Sequence, residues 1–233
     1  MRINDRLGNF LSDKTSAFGF ADISSLPEES RRGYNYAISM AIAHDPKVIE
    51  SIRKGPNRDY AAAFDELNRR IAEISRGLIA EIESLGYRAE TAYISGTYSR
   101  ETYSTQLPHK TVADLAGIGW IGKSALLVTE KFGSAVRLGS VLTNAELDAT
   151  AARIESKCGD CEVCLDICPA GAVTGKSWQP GVNRDELIDA FACAGKAKEL
   201  SGELSDHELC GICMANCPWT INYINSSKQS SDV

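Results

Sequence analysis

The feature that most constrains this chain is the placement of its cysteines. All eight lie between residues 158 and 217 of the 233-residue chain, and the first 157 residues contain none. They form two closely spaced runs and one outlying position: Cys158, Cys161, Cys164, Cys168, Cys193, Cys210, Cys213 and Cys217. Cysteines at such regular spacing indicate either a disulfide framework or bound metal. The chain is therefore expected to have a cysteine-free part followed by a part organised by sulfur chemistry.

The spacing within the two runs resembles that of bacterial ferredoxins. Residues 158–169 read Cys-Gly-Asp-Cys-Glu-Val-Cys-Leu-Asp-Ile-Cys-Pro, and residues 210–218 read Cys-Gly-Ile-Cys-Met-Ala-Asn-Cys-Pro. In two-cluster ferredoxins, three cysteines of such a run bind one [4Fe–4S] cluster and the fourth binds the other cluster. The resemblance implies that one cluster is bound by Cys158, Cys161, Cys164 and Cys217, and the other by Cys168, Cys193, Cys210 and Cys213.

Disulfides and zinc are the competing explanations for the cysteines. A disulfide framework requires an oxidising compartment, but residues 1–6, Met-Arg-Ile-Asn-Asp-Arg, do not resemble the start of a signal peptide. Zinc also accepts paired C-x-x-C ligands, although a structural zinc site closes on four ligands and seldom uses a four-cysteine run ending in proline. We therefore expect two iron–sulfur clusters, in a protein of a reducing and anaerobic cytoplasm.

Composition argues against two classes of partner. The formal net charge is −6, whereas nucleic-acid binding depends on a basic face that displaces counterions. No apolar run approaches the roughly 20 residues that a membrane-spanning helix needs. The hydrophobic content of 43% is sufficient for a buried core. We therefore expect a soluble protein without a membrane or nucleic-acid partner.

Hydrophobic patterning predicts a mixed α+β fold before the cysteines. Residues 58–85 have apolar side chains at steps of three and four, which predicts one face of a long helix. Shorter apolar runs predict strands at 18–23, 34–42, 87–95, 125–129 and 135–143, and a short helix at 111–116. The polar loop at 96–109 is long enough to be functional.

A glycine-rich segment at residues 117–124, Gly-Ile-Gly-Trp-Ile-Gly-Lys-Ser, matches two nucleotide-binding patterns at once. Both the dinucleotide pattern and the P-loop need a strand before the glycines and a helix after them, because the helix N-terminus holds phosphate. Here a helical segment precedes the glycines and a strand-like segment follows, so neither site is predicted. The glycines either let the backbone approach a ligand or form a tight helix-to-strand turn.

The chain as a whole resembles the epoxyqueuosine reductase family and, more distantly, the reductive dehalogenases. The resemblance is carried by residues 108–123, Pro-His-Lys-Thr-Val-Ala-Asp-Leu-Ala-Gly-Ile-Gly-Trp-Ile-Gly-Lys, by residues 126–129 and 132–139, and by the two cysteine runs. It implies that cobalamin is held base-off beside the nearer cluster and receives electrons through the clusters. The cofactor would then carry out the difficult chemistry.

The same resemblance implies a division into domains. Residues 1–150 would form a nitroreductase-like α/β domain of the cobalamin-processing type, which would bind the corrinoid. Residues 151–222 would form a ferredoxin-like module with two [4Fe–4S] clusters. The polar, serine-rich composition at the end of the chain predicts a flexible tail at residues 223–233. Members of the family continue beyond the clusters into a helical-repeat segment that helps to bind tRNA, whereas about 15 residues follow Cys217 here. The expected substrate is therefore one other than intact tRNA, or tRNA reached through a separate partner.

Candidate site residues follow from the matching positions. The family has an aspartate as proposed proton donor where Tyr103 stands here; reductive dehalogenases use a tyrosine, so Tyr103 and its neighbour Tyr98 are candidate catalytic residues. The candidate corrinoid contacts are Gly117, Gly119, Trp120, Gly122, Lys123, Arg137 and His109. The alternatives are a solvated or structural charge for Lys123 and Arg137, core packing for Trp120, and a helix cap for His109.

These expectations define one function and one alternative. The first is a cobalamin-dependent iron–sulfur oxidoreductase that reduces a small molecule or a corrinoid protein with electrons from a low-potential donor of the ferredoxin or flavodoxin type. The alternative is a ferredoxin-like electron-transfer or corrinoid-reducing protein that passes electrons to a partner and has no substrate of its own. Bound corrinoid would distinguish the two.

Overall fold

The computed structural model describes residues 2–92, 99 and 101–229 of the chain. The helices are α1 (Ile3–Leu11), α2 (Glu28–Arg31), α3 (Pro46–Ser51), α4 (Arg58–Ser84), α5 (His109–Leu115), α6 (Val163–Asp166), α7 (Ala190–Ser201), α8 (Ile212–Asn216) and α9 (Pro218–Gln229). The strands are β1 (Ala17–Asp22), β2 (Tyr36–Ala43), β3 (Ala89–Thr91), β4 (Trp120–Ile121), β5 (Leu127–Val128) and β6 (Val136–Thr143).

Four of the strands form one sheet in the order β1-β2-β6-β3, and β4 pairs with β5 in a second, two-stranded sheet. β1 runs antiparallel to β2 with Ala17 opposite Ala41, and β3 runs antiparallel to β6 with Ala89 opposite Thr143. The predicted strands and the predicted α+β class are confirmed in outline, because their β-branched and apolar runs pack on both faces of the sheet. β3 is shorter than predicted within the described residues.

The chain forms two compact units that alternate along the sequence. The first unit comprises Met1–Ile42, Leu67–Trp120 and Arg137–Ile154, and the second comprises Ala43–Glu66, Ile121–Val136 and Glu155–Val233. These units do not follow the boundary near residue 150 that the sequence suggested. The difference arises because Ala43–Glu66 and Ile121–Val136, which both precede residue 150, pack with the cysteine-bearing segment.

The first unit is built around the sheet and the later part of α4. Leu7 and Leu11 of α1, Met40 of β2, and Leu78 and Ile82 of α4 are completely buried in one apolar cluster. The amphipathic helix predicted at residues 58–85 is therefore confirmed as the 27-residue α4. Across the described chain, no helix combines the length and the apolar character that crossing a membrane requires.

The second unit has its own apolar core, formed by α3, the start of α4, α8 and α9. Ile49, Tyr60, Met214 and Ile224 are buried in this core, and Tyr223 packs against it. α9 begins directly after Cys217 and continues to Gln229. Residues 223–229 are thus helical rather than the flexible tail that their polar composition suggested, because Ile224 anchors them, while residues 230–233 lie outside the described part.

Candidate functional site

The thiols of the first predicted ligand set lie close together. Burial, followed by the negative charges of Cys158, Cys161 and Cys217, raises the pKa of Cys164 to about 11. Such charge effects fall off with distance, so the other three sulfurs lie near that of Cys164. Cys217 belongs to this group although it comes from the second run, as the ferredoxin resemblance implied.

The second predicted set is grouped in the same way. Burial, followed by Cys210, Cys168 and Asp189, raises the pKa of Cys193 to about 11. The pKa of Cys213 is raised to about 12, first by burial and then by the negative charges of Cys193 and Cys210. Other cysteines have smaller effects. Thiols this hard to ionise need a strong Lewis acid to hold them as thiolates, which iron supplies.

The spacing of the thiols is suited to a cluster. All eight cysteines are free and half-buried. Each of the two groups contains four thiols, which is the number that one cubane cluster needs. A cubane cluster distributes its four thiolates over four irons and so separates them more widely than one ion does. The two thiol sets therefore fit [4Fe–4S] clusters.

Backbone amides are directed at several of the sulfurs, among them those of Cys168 and Cys217. The Ala172 amide donates to Cys168 Sγ at 3.4 Å. Burial raises the pKa of Cys217, and hydrogen bonds from the backbone amides of Trp219 and Thr220 partly oppose this rise. Amides that donate to ligand sulfur stabilise negative charge there, and in iron–sulfur proteins they tune the reduction potential.

Thr220 is itself held by the turn between β5 and β6, in the same unit. The Ser134 amide donates to Thr220 Oγ1 at 3.0 Å. Gly133 has a left-handed φ of 56°, and a Cβ on this residue would stand 2.2 Å from the Thr220 nitrogen. Gly133 lies within residues 132–139, one of the segments that carry the family resemblance.

Gly122 and Lys123 lie against the first cysteine loop. A Cβ on Gly122 would stand 2.8 Å from Val128 Cγ2 and 3.5 Å from Cys158 Sγ. Lys123 is buried, and its Nζ donates to the carbonyl oxygen of Cys161 at 3.1 Å. Lys123 is therefore not a solvated charge; the structure places it beside the thiols.

The rest of the glycine-rich segment forms a helix-to-strand turn. α5 precedes it and the β4–β5 hairpin follows, so the prediction that it is neither a P-loop nor a dinucleotide site is confirmed. Gly117 has a φ of 66° and its backbone approaches Ala151 and Ala152 closely, which only glycine allows without strain. Gly119 and Trp120 are both buried.

A polar cluster in the first unit joins two further candidates. His109 Nδ1 is 3.1 Å from Ser140 Oγ, and Arg137 Nε donates to Asn68 Oδ1 at 2.6 Å. Burial, followed by the charge of Arg137, lowers the pKa of His109 to about 4. Its imidazole is therefore neutral at pH 7. His109 is the first residue of α5 and Pro108 is its N-cap, so His109 does not occupy the capping position.

A buried acid in the same unit was missed by sequence reasoning. Asp114 of α5 is 2% exposed, and Arg153 Nε lies 3.3 Å from its Oδ2. Burial raises the pKa of Asp114 to about 6, although Arg153 opposes the rise. The pattern of the helix alone does not identify Asp114 as a buried, paired acid, because its partner Arg153 lies 39 positions further along the chain.

His109 and Asp114 should have opposite effects on acid stability. The pKa of His109 is about 4 in the folded protein and 6.5 in the unfolded chain, so between these values the unfolded chain binds more protons. The contribution of His109 to the free energy of unfolding therefore falls as the pH drops through this window. Folded Asp114 takes up its proton near pH 6, above the unfolded value of 3.8, so its contribution falls as pH rises through that range. We therefore expect H109Q to flatten the acid side of the stability curve, by roughly 2 kcal/mol between pH 7 and pH 5, and D114N to steepen it.

Urea unfolding of the anaerobic protein at pH 7 and pH 5 would measure both effects. Equal pH dependence in H109Q and the unsubstituted protein would contradict the prediction. D114N is the matched control, because it removes a titrating group from the same helix with the opposite expected sign.

Of the two catalytic candidates, one is described. Tyr103 is half-buried in a turn, with a left-handed φ of 49°. A bulky residue seldom adopts this conformation, and such residues concentrate at functional sites. Tyr98 lies outside the described residues.

The chain is similar to known iron–sulfur proteins in its cysteine segment and over most of its length. Residues 157–220 match the family model of the 4Fe-4S double cluster binding domain. The epoxyqueuosine reductase of Gloeobacter violaceus is 31% identical to this chain over 243 residues, covering 93% of the chain and 67% of the relative. These matches assign the cysteine segment to a double-cluster module.

Solved structures share the fold of the whole chain. A crystal structure of epoxyqueuosine reductase with a tRNA-Tyr epoxyqueuosine-modified stem loop has a TM-score of 0.61 and 18% identity, covering 95% of this chain and 66% of that one. A reductive dehalogenase whose structure suggests a mechanism for B12-dependent dehalogenation has a TM-score of 0.68 and 19% identity, covering 96% and 32%. The chain thus spans about two thirds of the length of these epoxyqueuosine reductases and a third of the dehalogenase.

Proposed function

Since this chain belongs to the epoxyqueuosine reductase family, we propose that it is an oxidoreductase in which two [4Fe–4S] clusters pass electrons to a cobalamin. The observation that carries the proposal is the crossed grouping of the thiols, with Cys217 beside Cys164 and Cys168 beside Cys193. This grouping lies in the segment that matches the double-cluster family model. A crossed pair of clusters makes a short electron path within one module.

Each cluster has a defined set of proposed ligands. The first is bound by Cys158, Cys161, Cys164 and Cys217, and the second by Cys168, Cys193, Cys210 and Cys213. The charge of Cys164 in the first ligand set contributes to the raised pKa of Cys213 in the second, which indicates that the two sets are adjacent. Backbone amides at Cys168 and Cys217 stabilise the charge on the sulfurs.

The first unit is the proposed nitroreductase-like domain of the cobalamin-processing type. Likeness to a dehalogenase described as B12-dependent supports this choice. When bound, cobalamin supplies a low-potential cobalt centre for the reduction. Neutral His109 and the neighbouring Arg137 would contact the corrinoid, and the turn at Gly117–Trp120 would support them.

The substrate proposal has to include nucleic acid. A family relative has been crystallised with an epoxyqueuosine-modified tRNA stem loop, so the expectation of no nucleic-acid partner, which rested on a net charge of −6, loses its force. We propose that such a stem loop is the first substrate to test, ahead of small molecules and corrinoid proteins. Tyr103 would donate the proton that accompanies reduction, from the position where the family has an aspartate.

Anaerobic reconstitution followed by cobalamin titration tests this function. We expect about eight irons per chain, a base-off cob(II)alamin signal in the EPR spectrum after hydroxocobalamin is added, and turnover of the modified stem loop under reducing conditions. The Y103F variant should retain the iron and the corrinoid signal and lose turnover. Eight irons without corrinoid binding would contradict the proposal and favour the electron-transfer alternative.

A further inference from the structure

Lys123 places a positive charge inside the protein beside the first thiol set. It lies in the turn between β4 and β5 and is only 7% exposed. Its Nζ donates to the Cys161 carbonyl oxygen at 3.1 Å. Cys161 belongs to the first proposed ligand set, so the ammonium group stands next to the loop that wraps that cluster.

The turn that carries Lys123 is tightly constrained. The Gly122 amide donates to the Leu126 carbonyl at 2.8 Å, and the Ala125 amide donates back to the Gly122 carbonyl at 2.9 Å. Gly122 itself lies so close to Val128 that no side chain would fit there. These contacts determine the direction in which the next side chain leaves the turn, and this direction is toward the cysteine loop.

Other charges near this loop are exposed to water. Asp160 and Glu162 flank Cys161 and are exposed, and Lys157 precedes Cys158 and pairs with Glu130 at the surface. Water and salt screen interactions between such exposed groups. A buried charge acts through a medium of lower dielectric constant and is screened much less. The field of Lys123 at the first cluster is therefore screened less than that of each exposed neighbour.

We propose that Lys123 is a positioning residue that raises the reduction potential of the first cluster. One electron from a low-potential carrier protein adds one negative charge to a cluster that already bears four thiolates. A buried cation stabilises this reduced state more than the oxidised one, so it makes the first cluster easier to reduce. The inference rests on the cluster ligands proposed above.

The test is an equilibrium redox titration of the reconstituted full-length protein, followed by EPR. In K123Q, one of the two clusters should titrate at a lower potential by at least a tenfold change in its reduction equilibrium, which is about 59 mV for a one-electron couple. The shifted signal should be the one that the C217S substitution removes. K123R should restore most of the potential, because it retains the charge.

K157Q is the matched control. It removes an exposed positive charge adjacent to Cys158 and should leave both potentials unchanged. An equal shift in K157Q, or unchanged potentials in K123Q, would overturn the inference while leaving the two-cluster function intact. If K123Q and K123M both lose about four irons, Lys123 builds the site rather than setting its potential, and the inference also fails. An unsubstituted protein without two clusters would overturn the proposed function and this inference together.

Discussion

Replacing Cys217 with serine is expected to remove about four of the roughly eight irons and to leave the other cluster intact. The reason is the crossed grouping, in which Cys217 lies beside Cys164 although the two are in different runs. Iron content, visible absorbance and EPR of the reduced protein would measure the loss. The effect should be close to all or none, because a cubane without its fourth thiolate is readily lost.

The same measurement on other cysteines distinguishes crossed from local ligation. C158S should remove the same EPR signal as C217S, and C168S should remove the same signal as C210S. If each cluster were instead bound within a single run, C158S and C168S would behave alike, and so would C210S and C217S. That second pattern would contradict the proposed ligands.

Substituting alanine for Gly133 is expected to destabilise the second unit by about 3 kcal/mol or more. The new Cβ would stand 2.2 Å from the Thr220 nitrogen, and the left-handed φ of 56° adds strain. Thr220 cannot easily move, because it is completely buried and its amide donates to Cys217. We therefore expect iron loss from the first cluster as well as a lower urea midpoint.

Gly86 provides the matched control for this substitution. It also has a left-handed φ, of 86°, but no atom lies within 4 Å of the position of its Cβ. G86A should therefore cost only the backbone strain, roughly 1–2 kcal/mol, and leave the iron content unchanged. Similar losses of stability in G86A and G133A would show that the close approach to Thr220 is not the cause.

The sequence by itself determined the features that depend on local spacing. Ligand spacing in a cysteine run is set within 11 positions, from Cys158 to Cys168, so the resemblance to ferredoxins could be read directly. The periodicity of α4 is also local, since side chains three and four positions apart share a helix face. The order of helix, glycines and strand likewise excluded a phosphate site at residues 117–124 before the fold was known.

Only the tertiary structure decided which residues support the site. Thr220 and Ser134 are hydrogen-bonded although they lie 86 positions apart in the chain. Lys123 and Cys161 are hydrogen-bonded across a separation of 38 positions. The burial that shifts the pKa values of His109 and Asp114 likewise comes from residues distant in the chain. Hydrophobic pattern shows that a side chain can be buried, but its partner depends on how separate segments pack. For this reason the sequence revealed the sulfur chemistry, and the fold revealed the groups that tune it.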